Sequence, residues 1–207
     1  KAALGGQIAE VLADQIGDIA GAVDALNDVA QRAPGQRLVW QRLAGLHADL
    51  GQFNEAAQAM HRELSLLAEG DARHSRLVDY ARLVGKQLGD VPTALGALQS
   101  VTATQPSHTD AVSLLEELLP LAEADAARGV AEQLLQGYRA GEQWERAVEL
   151  LGRLASDAAD PAQEASLLQE SAKIKSESLA DAQGAYADLE RAFRLVPTDE
   201  PLRFQLE

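Results

Sequence analysis

Glu116 and Glu117, the four histidines His47, His61, His74 and His108, and the Gly89-Asp90 pair are the residues of this 207-residue chain whose types could do chemistry. Two carboxylates could share acid-base work, histidines could ligate a metal, and a Gly-Asp turn ahead of a helix could grip a phosphate. Spacing argues against each. Neighbouring helix positions diverge by about 100°, so Glu116 and Glu117 cannot converge on one substrate atom. No two histidines stand at i, i+4, and none belongs to a His-Glu-x-x-His helix. The stretch LGDVPTALGALQSVTATQP, Leu88 to Pro106, lacks the Gly-Lys-Ser/Thr of a phosphate loop, and Gly89 alone falls short of a dinucleotide fingerprint. There is no cysteine, which removes disulfides, thiolate metal sites and thiol nucleophiles. No catalytic residue, metal ligand or cofactor is therefore expected.

The Gly-Asp pair has a different meaning, because its surroundings occur three times. IGDIAGAVDALNDVAQRAP (Ile16 to Pro34) and LADAQGAYADLERAFRLVP (Leu179 to Pro197) align with Leu88 to Pro106 without a gap on Asp18, Asp90 and Asp181. The columns read Ala9, Ala81, Ala172; Val11, Leu83, Ile174; Ile16, Leu88, Leu179; Ala22, Ala94, Ala185; Leu26, Leu98, Leu189; and Pro34, Pro106, Pro197. Alanine and leucine four apart stack on one stripe of a helix. The aspartate suits an N-cap, Pro92 suits a first turn, and Gly17 or Gly89 suits the left-handed residue that stops the preceding helix. The unit is a helix stop followed by a helix start, closed by a proline.

Weaker copies lie between. Trp40 to Leu64 keeps the helix-turn-helix rhythm, and Phe53, Ala56, Met60 and Leu64 correspond to Trp144, Ala147, Leu151 and Ala155. Asp18 and Asp90 are 72 residues apart, Asp90 and Asp181 are 91 apart, and so are Phe53 and Trp144. The surplus of 19 residues lies between Pro106 and Trp144, which predicts one inserted helix there and a change of superhelical course near 107–142. Helices are expected near 3–16, 19–33, 36–50, 53–69, 72–88, 91–105, 108–119, 123–139, 143–158, 162–178 and 181–196, with a twelfth beginning near 200 and a disturbance at Pro120.

Composition agrees with an all-α chain, since 46% of residues are hydrophobic but only 4% aromatic, and alanine and leucine abound. A net charge of -14 repels phosphate backbones and anionic headgroups, which argues against nucleic acid. Arg73, Arg76, Arg82 and Lys86 share a helix face, but Asp71 and Asp79 lie among them, which reads as a solvated mixed-charge face. No apolar run approaches the roughly 20 residues of a membrane span. Absence of cysteine suits cytosol and periplasm alike, with the cytoplasm slightly favoured. The chain starts at Lys1 and stops inside EPLRFQLE, a starting helix, which reads as a piece of something longer.

The spacing from Asp to Ala, to a large apolar residue and to Pro resembles the second half of a tetratricopeptide repeat. Trp40, Leu43, Ala44, Ala56 and Met60 resemble that family's signature, and Ala22 and Ala56 stand at its 34-residue period. Intervals of 38, 53 and 38 between the later alanines depart from it, so a looser helix-pair cousin such as the half-a-TPR type stays open. Fourteen Arg against four Lys fits a GC-rich genome, and the chain is similar to degenerate bacterial scaffold arrays. The resemblance implies one right-handed superhelical solenoid of antiparallel helix pairs over 1–207, eleven to twelve helices in all. It implies a non-catalytic scaffold for a partner's helix or extended segment, or, alternatively, an accessory solenoid of a larger enzyme or of a secretion, motility or envelope machine. Groove positions carried over from the family fall at Leu38, Gln41, Asp49, Arg76, Asp79 and Lys86. His47, in a column where the family often has Tyr, reads as structural. Trp40 and Trp144 are either groove anchors or core, with core favoured by their columns, and Tyr80, Tyr138 and Tyr186 likewise. Self-association through exposed solenoid ends is also expected.

Overall fold

A computed structural model describes residues 2–198. Among them are eleven α-helices and no strand. They are α1 (Ala2–Glu10, continued by a π-helical stretch, Val11–Ile16), α2 (Ile19–Arg32), α3 (Arg37–Asp49), α4 (Phe53–Ser65), α5 (Asp71–Lys86), α6 (Val91–Thr102), α7 (Thr109–Leu118), α8 (Ala124–Ala140), α9 (Trp144–Ser156), α10 (Pro161–Glu177) and α11 (Ala182–Leu195). The twelfth helix expected near 200 falls outside the described residues.

The helices are organised by five similar joints. Gly17, Gly51, Gly89, Glu142 and Ala180 adopt left-handed backbone, with φ of 77°, 71°, 69°, 54° and 53°. Each is followed directly by the N-cap of the next helix: Asp18, Gln52, Asp90, Gln143 or Asp181. The three aspartates accept from the amides of Gly21, Thr93 and Gly184 at 2.9, 3.1 and 2.8 Å. Their own amides donate six residues back, to the carbonyls of Leu12, Val84 and Lys175 at 2.8–2.9 Å, whereas Gln52 and Gln143 donate five residues back, to His47 and Tyr138 at 2.8 Å, the closure that commonly ends a helix at a left-handed residue. One residue therefore stops a helix and the next starts another, which folds α1 on α2, α3 on α4, α5 on α6, α8 on α9 and α10 on α11.

Among the described helices, α7 alone has no left-handed residue at either end. It is entered through Pro106 and His108, whose Nδ1 accepts from the Ala111 amide at 3.4 Å. It is left through a 3-10 turn, Leu119–Leu121, that contains Pro120. It packs on α5, α6 and α8. Two glycines make the space. A Cβ on Gly85 would stand 3.0 Å from the Ala94 methyl and 3.2 Å from Leu118, and one on Gly137 would stand 2.8 Å from both the Pro106 carbonyl and a Val112 methyl. The side chain of Glu116 on α7 then ties the next two helices. It accepts from the Tyr138 hydroxyl of α8 at 2.5 Å and pairs with Arg146 of α9, whose guanidinium lies 5.0 Å over the Tyr138 ring. Burial, and then the bond to Glu116, push the Tyr138 hydroxyl well above its ordinary pKa.

The interior is a column of clusters. Val23, Leu26, Leu43 and Met60 belong to the first, Val84, Leu98, Leu115, Leu134 and Leu151 to the second, and Leu168 and Ala192 to the third. Tyr80 and Leu83 pack on both the first and second, and Leu167 on both the second and third. This nearest-neighbour burial is the physics of a helix-pair repeat. The alanine columns at 9, 81, 172 and 22, 94, 185 are buried throughout. Val11 and Ile16 depart from their columns and are exposed, Ile16 at 65%.

Candidate functional site

The α4 sequence buries Ala56, Met60 and Leu64 on one stripe, and Glu63 falls on the same stripe, three residues after Met60. Its side chain is only 2% exposed, so its charge must be met by partners. Arg37 of α3 reaches Oε1 with Nη1 at 3.1 Å, and Arg76 of α5 reaches Oε2 with Nε at 2.7 Å. The network extends outward from both cations. Arg37 Nη1 also donates to Gln41 Oε1 at 3.1 Å, while Arg76 Nη1 lies 3.6 Å from Asp79 Oδ2 and Arg82 lies 4.0 Å from Oδ1. One carboxylate thus fixes three consecutive helices and the two arginines that face solvent.

Over Glu63, α3 and α5 part to leave a cleft of about 260 Å³, with Arg37 and Gln41 on one wall and Ser75, Arg76 and Asp79 on the other. Two cations and two carboxylates balance within it, so it draws neither polyanions nor a lone cation by net charge. It offers guanidinium and amide donors, carboxylate and amide acceptors, and the Ser75 hydroxyl, held in place by the pairs beneath. Among the described residues, no hydrogen bond of the cleft joins a hydroxyl to a base, the arrangement a nucleophile requires.

Of the six positions expected to face a partner, the structure brings Gln41, Arg76 and Asp79 together in this cleft. Leu38 stands 68% exposed on α3. Asp49 is exposed at the C-terminal end of that helix. Lys86, at the end of α5, pairs with Glu117 and so faces α7. The sequence reading missed Arg37 and Glu63. The signal available was a carboxylate on an otherwise apolar stripe.

The basic residues of α5 form no free patch. Arg73 pairs with Glu69 at 3.1 Å and donates to the Leu64 carbonyl, Arg76 is held by Glu63, and Lys86 by Glu117. No cluster of three or more metal-ligating side chains exists among the described residues. His47 bonds Gln52 at 2.7 Å across the α3–α4 joint, and buried His74 bonds Thr104 at 3.2 Å. Trp40 and Trp144 are half-buried against the core, with Trp40 Nε1 donating to the Pro34 carbonyl at 2.8 Å. Tyr138 is buried and Tyr80 half-buried. Tyr186 corrects the expectation for its column, being 55% exposed on α11. No helix among the described residues is long and apolar enough to cross a membrane.

The joints, the buried columns and the layered core decide the architecture. It is a tetratricopeptide-like helical repeat. No family model and no curated protein matches the chain. Solved structures align along nearly its whole length. The MamA RS-1 ArsTM double mutant does so at 17% identity and a TM-score of 0.44, over 97% of each chain. A tetratricopeptide repeat protein from Parabacteroides merdae does so at 16% and 0.44, over 99% of this chain and 97% of that one. YrrB, described as a TPR protein with an unusual peptide-binding site, does so at 13% and 0.43, over 99% and 91%. At these values no residue role is transferred, and the helical repeat stands on its own joints and columns.

Proposed function

We propose that the protein is a non-catalytic interaction scaffold that holds a partner's helix or extended segment along the solenoid, with the α3–α5 cleft as the seat. The observation that carries this reading is the cleft itself. Its outward-facing Gln41, Arg76 and Asp79 are immobilised by pairs rooted in the buried Glu63, so a partner meets groups already ordered. Leu38, exposed on the same helix as Gln41, supplies an apolar contact beside the polar one.

The whole chain is read as one solenoid in which α7 is the inserted helix and the superhelix changes course. Copies of the scaffold also associate with one another through the faces of their outermost helices.

The test is isothermal titration with a helix-forming peptide selected from a displayed library on the parent chain. Asp79→Lys, which reverses a cleft charge, is expected to weaken binding by about tenfold or more. Glu145→Lys, on exposed α9 surface, is expected to leave it unchanged. Equal affinity for all three proteins, or loss in Glu145→Lys alone, would remove the cleft from the reading.

A further inference from the structure

A second hollow, of about 560 Å³, opens between the C-terminal ends of α2 and α4 and shares no lining residue with the α3–α5 cleft. Its apolar wall includes Ala30, Leu66 and the half-buried Trp40, whose ring is fixed by the bond from Nε1 to the Pro34 carbonyl at 2.8 Å. Asn27 and Gln31 of α2 and Arg62 of α4 form the polar wall, and their side chains hold no partner among the described residues. Arg62 stands alone although the chain carries thirty-two acidic against eighteen basic side chains. The acids around it are engaged elsewhere, Asp28 by Arg32, Glu63 by Arg37 and Arg76, and Glu69 by Arg73. Asp24 and Glu55 lie one and two turns away from Asn27 and Arg62 along their helices. Among the described residues no carboxylate lines the hollow. The last carbonyls of α4 are also occupied, that of Arg62 by the Ser65 hydroxyl at 2.7 Å and that of Glu63 by the Leu66 amide at 3.0 Å, which blunts the negative end of that helix.

We propose that this hollow binds an aromatic carboxylate, with its ring against Trp40 and Leu66 and its carboxylate on Arg62. A guanidinium without an acid takes a carboxylate through two parallel N–H bonds, and the Asn27 and Gln31 amides supply donors to the lone pairs that remain. An indole face takes a second flat ring in offset stacking, and Trp40 meets it already ordered. The volume falls within the range of small-molecule sites. A neutral aromatic would leave Arg62 unused and a bare anion would leave the Trp40 face in water, while a net charge of -14 repels a polyanion. One charge beside one ring is what the wall matches. A free acid carries that chemistry, and so does the aromatic C-terminal residue of a peptide.

The test uses Trp144→Phe, which leaves Trp40 as the only indole of the 207-residue chain, and follows its fluorescence during titration with phenylacetate at constant ionic strength. A saturable change is expected. Phenylacetamide, which lacks the charge, and acetate, which lacks the ring, are each expected to bind at least about tenfold more weakly. Arg62→Gln should bring phenylacetate down to the level of phenylacetamide while leaving the urea midpoint unchanged, because Arg62 is exposed and unpaired. The side-chain amide signals of Asn27 and Gln31 should shift along the same curve. A Gly-Gly-Gly-Phe peptide separates the two sources: binding that is lost on C-terminal amidation supports a chain terminus, and phenylacetate binding without peptide binding supports a free acid. Equal affinity for phenylacetate and phenylacetamide, or for the parent and Arg62→Gln, would overturn the proposal. So would a flat response of both Trp40 and the two amides.

Discussion

Glu63 and Glu116 each tie three consecutive helices through one carboxylate, and they do so by different means. Glu63, sealed in the regular part of the stack, is met by two guanidiniums, from Arg37 and Arg76. Glu116, a quarter exposed beside α7, is met by one guanidinium and one phenol, from Arg146 and Tyr138. The difference follows from solvent. A sealed carboxylate needs full charge compensation, whereas one that keeps part of its hydration is held by a hydrogen bond and a single cation. The first joint is thus an electrostatic requirement of stacking, and the second is a clasp added where an unpaired helix enters.

That contrast sets an order of effects. Glu63→Ala leaves two arginines facing each other over a vacated site and is expected to cost about 3 kcal/mol in urea unfolding, the largest loss of the series. Gly137→Ala drives a methyl against the Pro106 carbonyl, which cannot swing aside as a side chain would, and is expected to cost about 2 kcal/mol by the same measurement. Tyr138→Phe removes the clasp and is expected to cost about 1 kcal/mol at neutral pH. It also changes the alkaline limb. Because the folded protein holds this hydroxyl above its ordinary value of 10.0, its contribution is complete below pH 10 and is lost as pH rises toward the folded value. The parent should therefore lose more stability than Tyr138→Phe between pH 9 and 11. Should Tyr138→Phe prove more damaging than Glu63→Ala, the contrast between sealed joint and clasp fails.

The smallest expected effect is a gain. Ala180 occupies the left-handed position that Gly17 and Gly89 fill in the sister joints. Relieving it with Ala180→Gly returns about 1 kcal/mol of backbone strain, offset in part by unfolded-state entropy, for a net gain of about 0.5 kcal/mol and a slightly higher Tm.

The joints were legible because their chemistry is local. A left-handed residue, a capping aspartate and an apolar stripe lie within a dozen residues of one another, and Asp18, Asp90 and Asp181 each cap as expected. The surplus of 19 residues between Pro106 and Trp144 is the spacing on which α7 is proposed to be the inserted helix. Even the space it occupies left a trace. The alignment that pairs Phe53 with Trp144 also pairs Leu46, buried on α3, with Gly137 on α8.

Glu63 was not legible as a centre, since its partners lie 26 residues before it and 13 after it and no local pattern joins them. Tyr186 was misjudged for a related reason. A column records which way a side chain points, and burial depends on whether another helix pair stands there. Of the cleft-lining residues, Gln41, Arg76 and Asp79 coincide with the groove positions implied by the resemblance, and Arg37 does not.

The central claim is that the ordered cleft between α3 and α5 is the surface this solenoid presents to a partner. Amide chemical-shift mapping tests it most directly, by titrating the selected peptide into 15N-labelled protein. The account predicts perturbations concentrated at Leu38, Gln41, Ser75, Arg76 and Asp79, with Glu145 and its neighbours on α9 unmoved. Perturbations centred on α7–α9, with the cleft residues silent, would contradict it.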